Sequence, residues 1–472
     1  MLEVTYLFLA VVVGVPAMLA CGSTIFAAVT APRGRYGRMR FDHLALGAFV
    51  AMGGLMVMAI MAWLTREDGH YDDFGSGLIV FAAIFGAGVF ILGLGPFVPW
   101  LLGVLGQGGV WLPAAFRLAA RHLAYQRART APAVATTMAA TAVTIAVAIT
   151  TAAGTAQERQ NYSPRARPGA LVVAFSTEDA ATARVAVQQV LPGVPVAQGL
   201  GSRWPANFNV RTDYPSTSEA YVGDQALLRY LTGNPSFPYD EGRAVTVTSE
   251  DGQYDTVEID YYSSNNPDDP KVGKVIPTIT VEPAAPGVEG VFIPAKILQG
   301  MGAQLDAEAL IVDPSLHRVS EADRDRLQDR LGDSDEAYLE QGFQAPTGWR
   351  YVAGPMALIA LAGALVATIR SNRLLRRPNT GSSSAARVLT ACRAALAGAC
   401  GTVMGAFAGC VIGLLLAWPF TTSVDWEVPP RVSFETPWAS IGLMTAAIPL
   451  IAAVIALFFR QGKRAGPRER GR

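Results

Sequence analysis

Apolar residues run in long blocks along this chain of 472 residues. About seven of the blocks reach the roughly 20 residues that a helix needs to cross a bilayer. They fall at about 4–30, 44–64, 77–105, 132–154, 351–370, 386–418 and 436–459. Short polar connectors separate them, apart from one long polar segment at about 155–350. Backbone groups in hydrocarbon must be satisfied internally, so long apolar blocks of this kind read as helices. The pattern predicts a polytopic α-helical membrane protein with about seven transmembrane helices and one large extracytoplasmic α+β domain. Five stretches follow: a three-helix membrane block over 1–114, an amphipathic helix plus the fourth membrane helix over 115–154, the α+β domain over 155–350, three membrane helices over 351–460, and a basic tail over 461–472.

Inside the polar segment the periodicity shortens. Ala170 to Phe175 and Val194 to Ala197 read as strands around a helix that Thr177 caps and Pro192-Gly193 ends. A second α+β unit reads from Gly290 to Pro294, a helix at Ala295 to Met301, and a strand at Ala309 to Val312. Ser320 caps another helix through Leu331, and Ala337 to Glu340 returns as a strand. Alternating stretches at Ala244 to Thr248 and Thr256 to Tyr261 predict strands inserted between the two units, and Asn265 to Pro270 an exposed loop.

Thirty-eight basic residues balance thirty-eight acidic ones, which excludes a strongly basic nucleic-acid binder. Placement says more than the sum. Arg33, Arg35, Arg38 and Arg40 follow the first block; Arg117, Arg121, Arg127 and Arg129 precede the fourth; Arg370 to Arg393 lie between the fifth and sixth; Arg460 to Arg472 end the chain. Only Asp42 and Glu469 oppose them, while the long polar segment is acidic on balance. The positive-inside rule then puts the N-terminus outside and the C-terminus in the cytoplasm. Met18 to Cys21 faintly resembles a lipoprotein processing site, but no Lys or Arg precedes the block and Arg33 to Arg40 follow it, so an uncleaved span is expected. All four cysteines, Cys21, Cys392, Cys400 and Cys410, fall in or beside apolar blocks, so the polar domain relies on its own core. Arginine far outnumbers lysine, and with the abundance of alanine and glycine this points to a GC-rich bacterial genome.

Several chemistries lack their residues. No GxxxxGK[ST] loop occurs, so the chain is not expected to hydrolyse ATP or to be an enzyme. His43, His70, His122 and His317 are scattered without an HExxH, and Asp268 and Asp269 lack calcium-loop spacing, so no metal or cofactor is expected. No charge falls at mid-membrane depth, which argues against an ion-coupled transporter; Arg393, near the cytoplasmic boundary, is expected to snorkel. Two patterns carry more. Phe116 to Arg129 reads as an interfacial amphipathic helix, with Leu118, His122 and Tyr125 on one side, broadened by Phe116 and Leu123, and arginines on the other. It is expected to run into the fourth span through Pro132. Gly401, Gly405, Gly409 and Gly413 recur every fourth residue and permit close approach of another helix, from this chain or from a second copy.

The lead-in Phe116 to Pro132, the order helix, polar domain, three helices, and the glycine-stepped sixth span together resemble an FtsX-like permease unit over about 115–460. That superfamily includes the MacB-type and lipoprotein-releasing permeases of ABC transporters, and the lead-in is similar to that of actinobacterial members. The first three spans look like the tail of a preceding repeat, so the chain resembles the C-terminal half of a two-unit permease. The resemblance implies a permease subunit of an ABC-type transport or mechanotransmission system in a bacterial cytoplasmic membrane. A separate cytoplasmic ATPase would drive movement of the extracytoplasmic domain on a lipid, lipoprotein, peptide or cell-wall partner. It implies ATPase contact at Arg117, Arg121, His122, Arg127 and Arg129, and a second permease unit as homodimer or heterodimer partner. One stretch departs from the family: Arg373 to Ser384 is basic, then Gly/Ser-rich, without the acid and Leu-Arg-x-Leu-Gly-Ala-like sequence usual there. The alternative is a non-transporting membrane sensor or scaffold with an external ligand-binding domain.

Overall fold

Alanine and threonine dominate the fourth apolar block, and small side chains let neighbouring helices approach it from several sides. In the computed structural model this block is the hub of one of two compact units, Met1–Asn161 with Ala345–Arg472; the other is Tyr162–Gln344. The structure describes residues 18, 21–31, 41–66, 73–108, 113–203, 206–211, 219–249, 252–262, 272–332, 335–372, 383–422 and 431–458.

The helical unit comprises α1 (Cys21–Thr30), α2 (Phe41–Leu64), α3 (Asp73–Leu94), α4 (Phe97–Gly108), α5 (Ala114–Tyr125), α6 (Arg127–Asn161), α11 (Arg350–Asn372), α12 (Ser383–Phe420) and α13 (Trp438–Phe458). Six described helical stretches are long and apolar enough to cross a membrane: Phe41–Leu64, Gly77–Gln107, Arg127–Asn161, Arg350–Ser371, Ser384–Phe420 and Trp438–Phe458. Of the expected first span only the part ending in α1 is described; the rest of it, the Arg33 to Arg40 cluster, the Asn265 to Pro270 loop, Arg373 to Gly381 and the basic tail lie outside the described residues. The third span is two helices, because Gly95 and Pro96 form a turn between α3 and α4. Close glycine contacts join α3 to α2: a β-carbon at Gly54 would lie 2.4 Å from the Phe90 nitrogen, and one at Gly93 2.3 Å from that of Ala51.

The amphipathic lead-in does not run on through Pro132 as the sequence suggested. It stops at Tyr125, where Gln126 leaves helical geometry (φ −102°, ψ 17°) and its N–H donates to the His122 carbonyl. The Gln126 carbonyl accepts from the Arg129 and Thr130 amides, so one residue closes α5 and opens α6. Pro132 is the sixth residue of α6, so its missing N–H removes the bond that would otherwise reach the Ala128 carbonyl.

The second unit is built on one ten-stranded mixed sheet. Its strands are β1 (Leu171–Ala174), β2 (Val196–Ser202), β3 (Asn207–Arg211), β4 (Ala220–Gly223), β5 (Ala244–Val247), β6 (Thr256–Tyr262), β7 (Val272–Val281), β8 (Gly290–Pro294), β9 (Leu305–Val312) and β10 (Glu336–Leu339). The order is β10-β1-β9-β2-β4-β8-β5-β7-β6-β3, with β4–β8 and β5–β7 parallel and the other pairs antiparallel. The two α+β units read from the sequence are therefore one sheet, because β9 lies between β1 and β2 and β4 joins β2 to β8.

Four helices cover this sheet: α7 (Ala180–Val190), α8 (Gln225–Thr232), α9 (Ala295–Gly300) and α10 (Glu321–Gln328). Side chains alternate across a strand with period two, and the cores follow that rule. Leu171, Val173, Leu310 and Val312 pack with α7 and α10, while Ile311 and Phe292 turn to the Leu227, Leu228 and Leu231 face of α8. Val291 and Ile293 pack with Ile297 and Leu298 of α9. Asp224 caps α8 through the Ala226 and Leu227 amides, and Ser320 with Asp323 forms a capping box on α10. A short 3-10 turn, Thr177–Asp179, precedes α7, so that helix begins later than a Thr177 cap would put it.

Candidate functional site

In the helical unit α5 and the start of α6 present four of the eleven described arginines, Arg117, Arg121, Arg127 and Arg129. The packed side of α5 is Ala119, Ala120 and Leu123, set against α4 and α12. Small residues make the approach possible: a β-carbon at Gly106 of α4 would lie 2.4 Å from that of Ala124. Leu118 and Tyr125 are 46% and 57% exposed and share the outer side of α5 with exposed Arg117 and Arg121. Arg117 and Arg121 stand one helical turn apart, and Arg129 is exposed near the start of α6. Arg127 is half-buried, with its guanidinium over Gly103 of α4.

His122 turns the other way. It is half-buried, and its pKa is lowered first by burial and then by the positive charge of Arg393. Arg393 is the residue whose placement the sequence reading missed. It is 1% exposed, the largest fully buried side chain described, and does not snorkel. The signal was present in the spacing: Arg393 and Ala397 precede Gly401 at the same four-residue step, so all three share a face of α12.

That face packs on α6. A β-carbon at Gly401 would lie 2.7 Å from the Thr137 side chain, at Gly405 2.5 Å from the Met138 carbonyl, at Gly409 2.6 Å from the Ala142 carbonyl and at Gly413 2.8 Å from Ile149. Thr137, Thr141, Ile145 and Ile149 of α6 thus meet the four glycines in matching order, so the two helices run parallel along a common seam. Thr137 also donates to the Ala360 carbonyl at 3.0 Å, tying α6 to α11. The seam is occupied within the chain and leaves this stripe no room for a helix from a second copy.

The sheet unit has its own polar centre where its two ends meet. Glu340, fully buried, follows the edge strand β10, and its carboxylate accepts from the hydroxyls of Tyr162 and Tyr338 (3.0 Å for the latter) and the amides of Arg165 (3.0 Å) and Gly342 (2.7 Å). Its backbone joins in: the Glu340 amide donates to Ala170 and the Gly169 amide to the Glu340 carbonyl. Burial pushes the Glu340 carboxyl up, but the donors, led by Tyr162, outweigh it and hold the pKa below the ordinary value. Arg165 also stacks over the Tyr338 ring at 5.6 Å. Residues 162–170 and 338–342, the first and last of this unit, are thereby fastened to each other. Nothing in the local pattern marked Glu340, because its donors come from both ends of the domain.

Among the described residues no three His, Cys, Asp or Glu side chains gather in a way that would hold a metal ion. One site is a basic, partly apolar ledge packed on the helical core; the other ties the two ends of the sheet unit to each other. No family model matches the chain, and a search of curated proteins finds no match, so its assignment rests on these geometries and on the sequence pattern.

Proposed function

We propose that the chain is the permease subunit of an ABC-type system in a bacterial cytoplasmic membrane, with its N-terminus outside, its C-terminus inside and the sheet domain extracytoplasmic. A separate ATPase binds the cytoplasmic face, and its cycle moves the sheet domain against a lipid, lipoprotein, peptide or cell-wall partner. A second permease unit completes the assembly. The observation that carries the reading is the α5 ledge. Arg117 and Arg121 stand exposed on a helix whose other side is packed on α4 and α12. A push on the ledge reaches α12 through Ala119, Ala120 and Leu123, then α6 through the glycine seam, and α6 continues in sequence into the sheet unit. Rigid packed helices transmit displacement because interiors are close-packed and compress little.

Affinity purification from native membranes tests this. Wild-type protein is expected to bring down a nucleotide-binding subunit, and Arg117→Glu with Arg121→Glu to lose it while the chain still folds. Repeated purification of wild type without any such subunit rejects the reading. The acid-free Arg373 to Ser384 stretch favours a second reading, a sensor or scaffold without an ATPase. In that case the sheet domain binds a ligand and no nucleotide-binding subunit is recovered.

A further inference from the structure

A second stripe of α6, beside the glycine seam and sharing Ala146 with it, borders a cavity. Thr136, Ala139, Ala140, Val143, Ala146, Val147 and Thr150 line one cavity of about 390 Å³, closed further by α1, α3, α11 and α12. The stripe follows helical spacing from Thr136 to Thr150, about 21 Å of helix from first to last. The cavity's size falls within the ~300–1,000 Å³ of small-ligand pockets.

The chemistry of the wall favours an apolar occupant. Apart from three threonines and Cys21, its side chains are apolar, such as Ile84, Met356 and Phe420. Each hydroxyl in the wall already donates to its own helix: Thr24 to the Cys21 carbonyl at 2.7 Å, Thr136 to Pro132 at 3.0 Å and Thr150 to Ala146 at 3.0 Å. Only the acceptor lone pairs of these three hydroxyls remain, at separate points of the wall, and a water needs two or more polar partners. A slot left empty would forfeit the dispersion contacts of its whole lining. Cys21 lines the cavity and is also exposed, so the slot opens past α1. The helices that form it are apolar enough to lie in a bilayer, where hydrocarbon is the surrounding solvent.

We propose that this slot holds one acyl chain of a membrane phospholipid, entering past Cys21 and filling the space between α6, α3 and α11. The apolar wall, running along about 21 Å of α6, suits an alkyl chain and offers a headgroup little, so the headgroup stays outside. The lipid chain then takes the place of direct side-chain packing between α6 and these neighbours.

The test uses the full chain in phosphatidylcholine vesicles containing a phosphatidylcholine with a diazirine on one acyl chain. After illumination, adducts are mapped by mass spectrometry. Adducts are expected at Val143, Val147 and Met356 in addition to those at Phe49 and Met52, which are exposed on α2. Val147→Trp with Met356→Trp, which fills the slot, is expected to cut adducts at Val143 at least tenfold and leave those at Phe49 and Met52 unchanged. A wild-type measurement stands beside it in case the filled variant does not fold. Alkylation of Cys21 by N-dodecylmaleimide is expected to block slot labelling several-fold, and N-methylmaleimide to leave it intact. Slot adducts no higher than in an unilluminated control, or slot labelling that neither filling nor the dodecyl chain reduces, overturns the proposal.

Discussion

Glu340 shows what one buried carboxylate contributes when four donors surround it. Hydrogen bonds to a charged group each add about 1.5–3 kcal/mol, and an acceptor replaced by a donor leaves its partners unsatisfied. Glu340→Gln is therefore expected to destabilise the sheet unit by about 2–3 kcal/mol and to speed hydrogen exchange at the Gly169 and Gly342 amides. Since the folded pKa is depressed, the native carboxylate binds its proton less readily than the unfolded one. Its contribution is complete above the unfolded pKa of about 4.3 and is lost as pH falls through the lower folded value. Urea titrations of wild type and Glu340→Gln across that range should converge at the acid end, and a constant gap would refute the assignment. His122 offers a second check. Arg393→Met is expected to raise the His122 pKa, only part of the way to the ordinary value, because burial is the larger cause. Histidine NMR titration in detergent reads this directly. Of the residues expected from sequence to contact a partner, the structure leaves Arg117, Arg121 and Arg129 exposed and half-buries His122 and Arg127. Amphipathic periodicity could not separate those two groups, since it records which residues share a side and not which neighbour that side meets.

The α6–α12 seam is an element-scale device, and its glycines differ sharply from others in the same bundle. An alanine at Gly405 would put its methyl 2.5 Å from the Met138 carbonyl, a backbone atom that cannot move alone. Gly405→Ala is expected to cost about 1–3 kcal/mol through overpacking. Gly442 in α13 has nothing within 4 Å, and alanine there is expected to be neutral or to gain up to about 1 kcal/mol. The buried thiol of Cys400 reports both: its labelling rate should rise in Gly405→Ala and stay level in Gly442→Ala. Equal rates would mean that the seam bears no load. The four-residue step made this stripe visible in the sequence, and the same step placed Arg393 on it. The helix that fills the stripe was not visible, since Thr137 and Gly401 are far apart in the chain and nothing in α12 specifies α6.

At the scale of the molecule, the described residues hold six helical stretches long and apolar enough to cross a membrane and, between two of them in sequence, a mixed sheet domain, a pattern consistent with a membrane protein. The proposed orientation puts exposed Leu316 and exposed Tyr125 on opposite sides of the bilayer. In a Cys21→Ser background, Leu316→Cys should react with a membrane-impermeant maleimide in right-side-out vesicles and Tyr125→Cys only in inverted ones. Reaction of both in one preparation would reject the orientation. The long apolar blocks and the change of period in the polar segment were legible by themselves, because length in hydrocarbon and side-chain alternation are properties of neighbouring residues. So were the absence of a phosphate-binding loop and the asymmetry of charge. Tertiary structure alone decided that the polar segment is one sheet, that Gln126 separates α5 from α6, that Arg393 is buried, and that α6 carries a filled seam and an open slot. Each of these depends on which distant segment comes to lie alongside, and a one-dimensional pattern records a face without recording what it meets.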